Sequence, residues 1–279
     1  MDRSGSSESM IPVTVIIPVK NEEKNLSRNL NSVRGFSDVV VVDSGSTDGT
    51  VKLANECGCN VVTFKWDGKF PKKRNWILRN YPISTEWVLF LDADECISDA
   101  FKTAVILAIQ DESKSGYWLR YNNYFQGKLL KHGIPFKKLA LFKWRKGEYE
   151  KIEEERWSNL DMEIHEHPII SGEIGEIKEP IIHYDYKGFH NYLSKHNEYS
   201  SWEAHRYLKL KEEGNSLSLT PRQKKKYKHL ENIWWAPLYF ITQYFLRGGF
   251  LDGKEGFTFS LLKAIYFFEI RCKIKELNR

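Results

Sequence analysis

Along the first 110 residues, hydrophobic positions switch between short continuous runs and stretches with helical spacing. "VTVIIPV" at 13–19 is a β-branched run without polar alternation, the pattern of a strand buried on both faces. In the following "NEEKNLSRNLNSV", Leu26, Leu30 and Val33 recur at helical spacing, and Glu22 and Glu23 suit the positive end of a helix dipole. "DVVVVDSGSTDGT" (38–50) reads as a second buried strand closed by a Gly/Ser/Asp loop, with Thr47 or Asp48 placed to cap a helix running through Cys57. "NVVTF" (60–64) gives a third strand, and "PKKRNWILRNY" (71–81) a helix opening on Pro71. "EWVLFLD" (86–92) is a fourth strand, after which Phe101, Ala104, Val105, Ala108 and Ile109 mark a fourth amphipathic helix.

Strands alternating with helices imply right-handed crossovers and a parallel sheet. Ligands of such sheets bind beyond the carboxyl ends of the strands, the edge at which Asp43 and Asp92 fall. After residue 115 the pattern changes. "YWLRYNNYF" (117–125) and "KLALFKW" (138–144) read as antiparallel strands. Residues 188–213 and 222–246 read as helices separated by "GNSLSLTP", and 257–276 as a last helix after a glycine-rich turn, "LRGGFLDGKEGF".

Composition narrows the class. A chain of 279 residues suits one large domain or a domain with a helical appendage. Its formal charge of +5 is too small an excess to argue for nucleic acid, and no nucleic-acid partner is expected. Cys57, Cys59, Cys96 and Cys272 have no disulfide or zinc spacing and read as reduced thiols of a cytoplasmic protein. The start, "MDRSGSSESM", is polar, lacks an apolar signal core and reads as a disordered tail. No segment reaches the about 20 apolar residues that span a bilayer. The nearest, "IWWAPLYFITQYFL" (233–246), is interrupted by Pro237, Thr242 and Gln243. Basic residues at 222–228 precede this aromatic run, a pairing that suits either anionic lipid headgroups or packing on the rest of the chain.

The sharpest local feature is "LFLDADE" (89–95), an apolar run that ends in Asp92, Asp94 and Glu95. Carboxylates so close together call for a positive partner. The bland alternative is a strand end followed by a helix capped by Ser98 or Asp99.

"VIIPVKNEEKNL", "VVVDSGSTDGT" and "LFLDADE", in that order at successive strand ends, resemble family 2 glycosyltransferases with the GT-A nucleotide-diphospho-sugar transferase fold. "EIHEHPIISGEIG", "IIHYDYKGFHNYLSKHNEYS" and "YFLRGGFLDGKEGF" extend the resemblance to the branch containing lipopolysaccharide-core β-1,4-glucosyltransferases. The fold class expected is therefore α/β, with a Rossmann-like, mostly parallel central sheet and a C-terminal helical appendage. The expected division is a tail at 1–10, a catalytic domain at 11–187 and a helical region at 188–279.

The resemblance implies an inverting transfer of a hexose, glucose in this branch, from a UDP-sugar donor to a lipid-linked saccharide such as lipopolysaccharide inner core. The enzyme would lie on the cytoplasmic face of the inner membrane, with the inner-leaflet surface as a partner. Polyprenyl phosphate or protein acceptors, and a catalytically silent sugar-nucleotide- or membrane-binding scaffold, are the alternatives. The donor's diphosphate is matched by Mg²⁺ or Mn²⁺ on oxygen ligands. Asp92 and Asp94, two apart in an extended segment, would face one such cation. By resemblance Asp94 is the direct ligand, Asp92 also contacts ribose or metal-bound water, and His183 is a downstream metal ligand or else a core histidine.

Asp43 is implied as acceptor for the nucleobase, or else forms its own turn. Pro18, Asn21 and Glu22 would frame base and ribose, with a helix-dipole role as the alternative for Glu22. Arg74 matches a position near the nucleotide, and its guanidinium suits phosphate. Lys69, Lys72 and Lys73 read more readily as a solvated face than as contacts to a phosphorylated acceptor. The acceptor hydroxyl needs a base. "IHE" (164–166) replaces the family's usual acidic dipeptide, leaving Glu166 as first choice and Glu163 in reserve. Zinc on His165, His167 and His183 is disfavoured, since no cysteine lies nearby.

Overall fold

The β-branched runs form the core of the main sheet. A computed structural model describes residues 10–152, 158, 168–184, 188–214, 219 and 221–279. β1 (Ile11–Val19) is buried continuously from Val13 onward, as a strand covered on both faces must be. The chain crosses through α1 (Glu23–Ser32) to β2 (Phe36–Asp43), then through α2 (Thr50–Glu56) to β3 (Asn60–Thr63). α3 (Lys73–Asn80) leads to β4 (Trp87–Phe90), and the short β5 (Glu95–Cys96) precedes α4 (Asp99–Ala108). Ser98 caps α4 by accepting from Phe101 N at 3.2 Å. α3 begins two residues after Pro71 rather than on it.

β1 pairs in parallel with both β2 and β4, and β2 with β3. Val19 stands opposite Asp43, and Ile16 opposite Phe90. The carboxyl ends of β1, β2 and β4 thus lie side by side, and the loops 20–22, 44–49 and 91–94 emerge at one edge.

The remaining strands extend this sheet. They are β6 (Lys114–Phe125), β7 (Lys128–Leu129), β8 (Phe136–Lys143), β9 (Gly147–Tyr149), β10 (Pro168–Ile170) and β11 (Glu173–His183). Among the described residues the main sheet runs β3-β2-β1-β4-β8-β6-β11-β5, with β7 on β6 and a separate β9–β10 pair. β8 is antiparallel to β4 and to β6, and β11 to β5, so the half built by crossovers is parallel and its extension is not. One core cluster fills this half, with Ile16, Val41 and Leu89 fully enclosed.

The described residues divide into two compact units. The first takes those of Met1–Asn122, Phe136–Glu155 and Asn159–Tyr184. The second takes those of Asn123–Pro135, Arg156–Ser158 and Asp185–Arg279. Within the second lie α5 (Phe189–Glu213), α6 (Pro221–His229), α7 (Trp235–Ile241) and α8 (Gly253–Leu277). The single helix expected over 222–246 is broken between His229 and Trp235, where Asn232 Oδ1 accepts from Trp234 N at 2.9 Å. Pro237 then falls in the first turn of α7, where its missing N–H is harmless. α8 starts at Gly253, so the expected glycine turn is shorter and its last glycine is helical. Gly256 has to be glycine, because a Cβ there would lie 2.1 Å from the Gly249 carbonyl oxygen.

Asn123–Pro135 groups with the second unit through specific hydrogen bonds. Asp252, only 4% exposed, accepts from Lys131 N at 3.2 Å, His132 N at 2.9 Å and His132 Nδ1 at 3.0 Å. Gln243 Oε1 accepts from Ile134 N at 2.6 Å. Asp252→Ala leaves backbone donors without their buried acceptor, at about 1–3 kcal/mol for each unsatisfied group. The variant is expected to lose hydrogen-exchange protection at the Lys131 and His132 amides and to unfold at lower urea concentration. Unchanged protection at both amides would refute this account of the segment.

Candidate active site

β4 ends at Phe90, and the residues that follow turn instead of extending. Glu95 N donates to the Asp92 carbonyl at 2.9 Å, and the Glu95 carboxylate accepts from Asp92 N at 3.0 Å. The alternation expected of an extended Asp-x-Asp therefore does not apply. The turn brings Glu95 back beside Asp92.

The positive partner of Asp92 and Glu95 is Lys138 of β8. Its ammonium lies 2.6 Å from Asp92 Oδ2 and also contacts Glu95 Oε1. The other Asp92 oxygen takes Arg74 Nη2 at 3.0 Å. Arg74 is aimed by its neighbour. Asn75, fully buried, donates to the Tyr149 carbonyl at 2.9 Å and accepts from Tyr149 N at 2.8 Å, which pins α3 to β9. The Arg74 guanidinium lies 5.3 Å from the Tyr149 ring centre. From the opposite side Asn29 of α1, also fully buried, donates to the carbonyls of Asp92 at 3.1 Å and Glu95 at 2.7 Å.

Asp94 has another partner. Its Oδ1 lies 3.4 Å from His183 Nε2, and the Asp94 carbonyl accepts from Tyr184 N at 2.8 Å. Both side chains are more than nine-tenths buried. His183 stands opposite Glu95 in the β11–β5 register, and Phe136 stacks on its ring at 6.2 Å. The Tyr121 ring meets that of His183 edge-on at 6.3 Å and lies 5.0 Å from the Lys138 ammonium, while its buried hydroxyl has no hydrogen-bond partner among the described residues. A buried orphan hydroxyl beside a charged cluster is a donor suited to a ligand.

These contacts set the titration of the cluster. Burial pushes the Asp92 carboxyl up, but Lys138 and Arg74 outweigh it and hold that group far below the usual carboxylate range. Glu95 goes the other way. Burial, with Asp92's charge adding to it, raises its carboxyl to about 7 against the pull of Lys138. One lysine shared by two carboxylates cannot hold both low. Burial lowers His183, and the hydrogen bond and charge of Asp94 more than offset this, so its pKa is raised.

The first two loops are laced together at the same sheet edge. The buried Asp43 carboxylate accepts from Gly45 N at 2.9 Å and Ser46 N at 3.1 Å, the arrangement of a turn-forming aspartate. Asn21, at φ 56°, donates its N–H to Ser46 Oγ at 2.8 Å and accepts from Thr47 N at 2.8 Å. Glu22 N donates to Thr50 Oγ1 at 2.8 Å, and the Glu22 carboxylate accepts from Asn25 Nδ2 at 3.0 Å. Pro18 is buried opposite Val42.

Lys72 and Lys73 do not form the expected solvated face; both are buried. Lys73 donates to the Val19 carbonyl at 3.4 Å, and Lys72 lies 5.8 Å from the Trp66 ring. Glu163 and Glu166, with His165 and His167, lie outside the described residues. Sequence reasoning passed over Lys138, Asn29 and Tyr121. The signal for Lys138 was slight, a lysine at the very start of the strand-like run "KLALFKW".

The sequence model of glycosyl transferase family 2 matches residues 14–169, more than half of the chain. The chain belongs to glycosyl transferase family 2. It is an enzyme of that family with the GT-A fold, its central sheet built on the parallel half described above. It is similar to an uncharacterized glycosyltransferase of Rickettsia conorii, 27% identical over 95% of this chain and 90% of that protein. It is also similar to the lipopolysaccharide core biosynthesis glycosyltransferase LpsC of Rhizobium meliloti, 25% identical over 95% of this chain and 93% of LpsC. Among solved structures, S. aureus TarS 1–349 aligns at 17% identity with a TM-score of 0.46, covering 92% of this chain and 80% of that one.

The Lys138 bridge has a measurable consequence. Lys138→Met leaves Glu95 buried without its cation, and breaking a buried pair in this way costs about 3–5 kcal/mol. Adding Glu95→Gln to that variant is expected to restore part of the loss in urea unfolding. The sign of the pH effect follows from the raised Glu95 pKa. Between its ordinary range and about 7 the native state binds more protons than the unfolded one, so this group's contribution falls as pH rises. Glu95→Gln should remove that slope from the stability profile between pH 4.5 and 7. Parallel profiles for the two proteins would refute the assignment.

Proposed function

We propose that the chain transfers a hexose, glucose as the first candidate, from a UDP-sugar to a lipid-linked saccharide such as lipopolysaccharide inner core, with inversion at the anomeric carbon. The observation that carries this reading is the likeness to a lipopolysaccharide core glycosyltransferase along nearly the whole of both chains, LpsC being matched over 93% of its length. The acceptor's lipid places the reaction at the cytoplasmic face of the inner membrane, with the enzyme peripheral to it.

The side chains at the sheet edge suit this chemistry. Among the described residues no group of three or more His, Cys, Asp and Glu is arranged to hold a metal ion. The donor set instead fits a Mg²⁺ or Mn²⁺ that a diphosphate brings and that Asp94 and His183 hold from the protein side, since such ions take one or two carboxylates plus substrate oxygens. The bound cation would offset diphosphate charge as the glycosidic bond breaks. Asp92, with both oxygens engaged by Arg74 and Lys138, would orient Arg74 toward phosphate and accept from ribose. Asp43 has acceptor capacity beyond its two backbone donors for the uracil N3–H, with Pro18, Asn21 and Glu22 framing base and ribose. Glu166, with Glu163 in reserve, would take the proton of the acceptor hydroxyl as it attacks, a contribution of about 10²–10⁴-fold.

Asp94→Asn is expected to abolish transfer. It should also remove the extra thermal stabilisation that Mn²⁺ adds to UDP binding, leaving the metal-free response to UDP in place. A normal Mn²⁺ increment in Asp94→Asn would exclude it as ligand. Glu166→Gln should stop transfer with UDP binding unchanged, and full activity in that variant would remove Glu166 as the base.

A further inference from the structure

The last 59 residues carry more positive charge than the whole chain. Residues 221–279 hold 12 Lys and Arg against 5 Asp and Glu, a net of +7, whereas the whole chain is +5 and residues 1–220 therefore −2. The same segment carries the main concentration of exposed large apolar side chains. Trp234 (73% exposed), Leu238, Ile241 and Phe245 follow one another at spacings of four, three and four, one stripe along α7 and its π-helical continuation. Phe257, Leu261, Ile265 and Phe268 make a second exposed stripe, on α8.

The two stripes are joined. The Phe257 ring lies 5.8 Å from that of Phe240 and 5.5 Å from that of Tyr244, while Tyr239 packs on Phe267 at 4.7 Å. The result is one apolar face on a floor of interlocked rings. At 100° per residue, the exposed Lys254 and Lys275 share the side of the α8 stripe and bracket its ends, and the exposed Arg247 follows the α7 stripe. Most acids of the segment face elsewhere: Asp252 is buried, Glu255 lies 3.6 Å from Lys128, Glu231 pairs with Lys211 and Glu269 with Ser200.

Contiguous exposed apolar surface of this kind marks an interaction site. Among the described residues no helix is long and apolar enough to cross a membrane, so spanning does not account for it. A second copy of the chain is a poor occupant. A two-fold dimer through this face would bring basic rim residues of one copy against basic rim residues of the other, and like charges across an interface are unfavourable. We propose that the paired outer faces of α7 and α8 seat in the boundary between headgroups and acyl chains of an anionic bilayer. Trp234 lies at the depth that tryptophan prefers, and Arg247, Lys254 and Lys275 meet lipid phosphates. This deepens the proposed function by naming the surface through which the enzyme would reach a lipid-linked acceptor.

Flotation of the full chain with phosphatidylcholine vesicles, with and without one quarter phosphatidylglycerol, tests the proposal. Binding is expected with the anionic vesicles and should weaken sharply in 0.5 M NaCl. Lys254→Gln and Lys275→Gln should each weaken it about fivefold. Trp234→Ser combined with Leu238→Ser and Phe245→Ser should weaken it at least tenfold, with UDP binding and circular dichroism unchanged as evidence of folding. No binding to anionic vesicles, full binding by the triple variant, or a dimer that the triple variant abolishes would each overturn it. Transfer to detergent-dispersed acceptor is measured in parallel. Transfer without vesicle binding sinks only the docking face, and vesicle binding without transfer to any acceptor sinks the functional reading.

Discussion

Lys138 is a half-buried cation shared by two carboxylates that stand three residues apart, and the shape of the site depends on that sharing. Taking Asp92 and Glu95 out of water is expensive unless charge and hydrogen bonds replace the water. Lys138 and Arg74 keep Asp92 ionised, while Glu95, raised to about 7, shares Lys138 without being held low. Asp94 is different. Its Oδ1 lies 3.4 Å from His183 Nε2, whose pKa the hydrogen bond and charge of Asp94 raise.

The turn that sorts these carboxylates is held by amides. Asn29 satisfies the Asp92 and Glu95 carbonyls, and Asn75 satisfies both backbone groups of Tyr149. Both are fully buried; Asn75 is paired through both ends of its amide and so accepts essentially one orientation, whereas Asn29 commits its Nδ2 to both carbonyls and leaves its Oδ1 without a hydrogen bond among the described residues. Asn75 thereby fixes the helix that carries Arg74, and Asn29 fixes the loop that Arg74 reaches. Positioning in this site comes from neutral groups inside the core, and charge is confined to the side chains that meet at the edge.

This division explains what the sequence could disclose. The strands β1, β2 and β4 and the helices between them follow from uninterrupted β-branched runs and helical spacing, so the edge where Asp43, Asp92 and Asp94 collect was legible. The turn at 92–95 was not, because it depends on Lys138, forty-three residues beyond Glu95, and on Asn29 on another helix. Periodicity carries no information about pairs so far apart. Lys72 and Lys73 were misread for a related reason. A run of basic residues has the composition of a solvated face, yet Lys73 finds the Val19 carbonyl at the end of β1. In the second unit, "LRGGFLDGKEGF" revealed a reversal but not that Asp252 within it would hold the distant segment 131–132.

The exposed rings of α7 and α8 follow a different logic from that of the core. A surface stripe left from incomplete packing would be surrounded by mobile side chains, whereas here Phe240 and Tyr244 stack on each other and both meet Phe257 of the stripe edge-on. The reversal between the helices is equally constrained, since Gly256 allows α8 to pass against the Gly249 carbonyl with no room for a Cβ. A rigid aromatic floor that leaves Trp234, Phe245 and Leu246 largely bare surrenders the roughly 1.5–3 kcal/mol that burying each such side chain would contribute. A bilayer returns that term and collects the neighbouring positive charge as well. A purely polar partner would collect the charge alone, and so would leave the bare rings without a role.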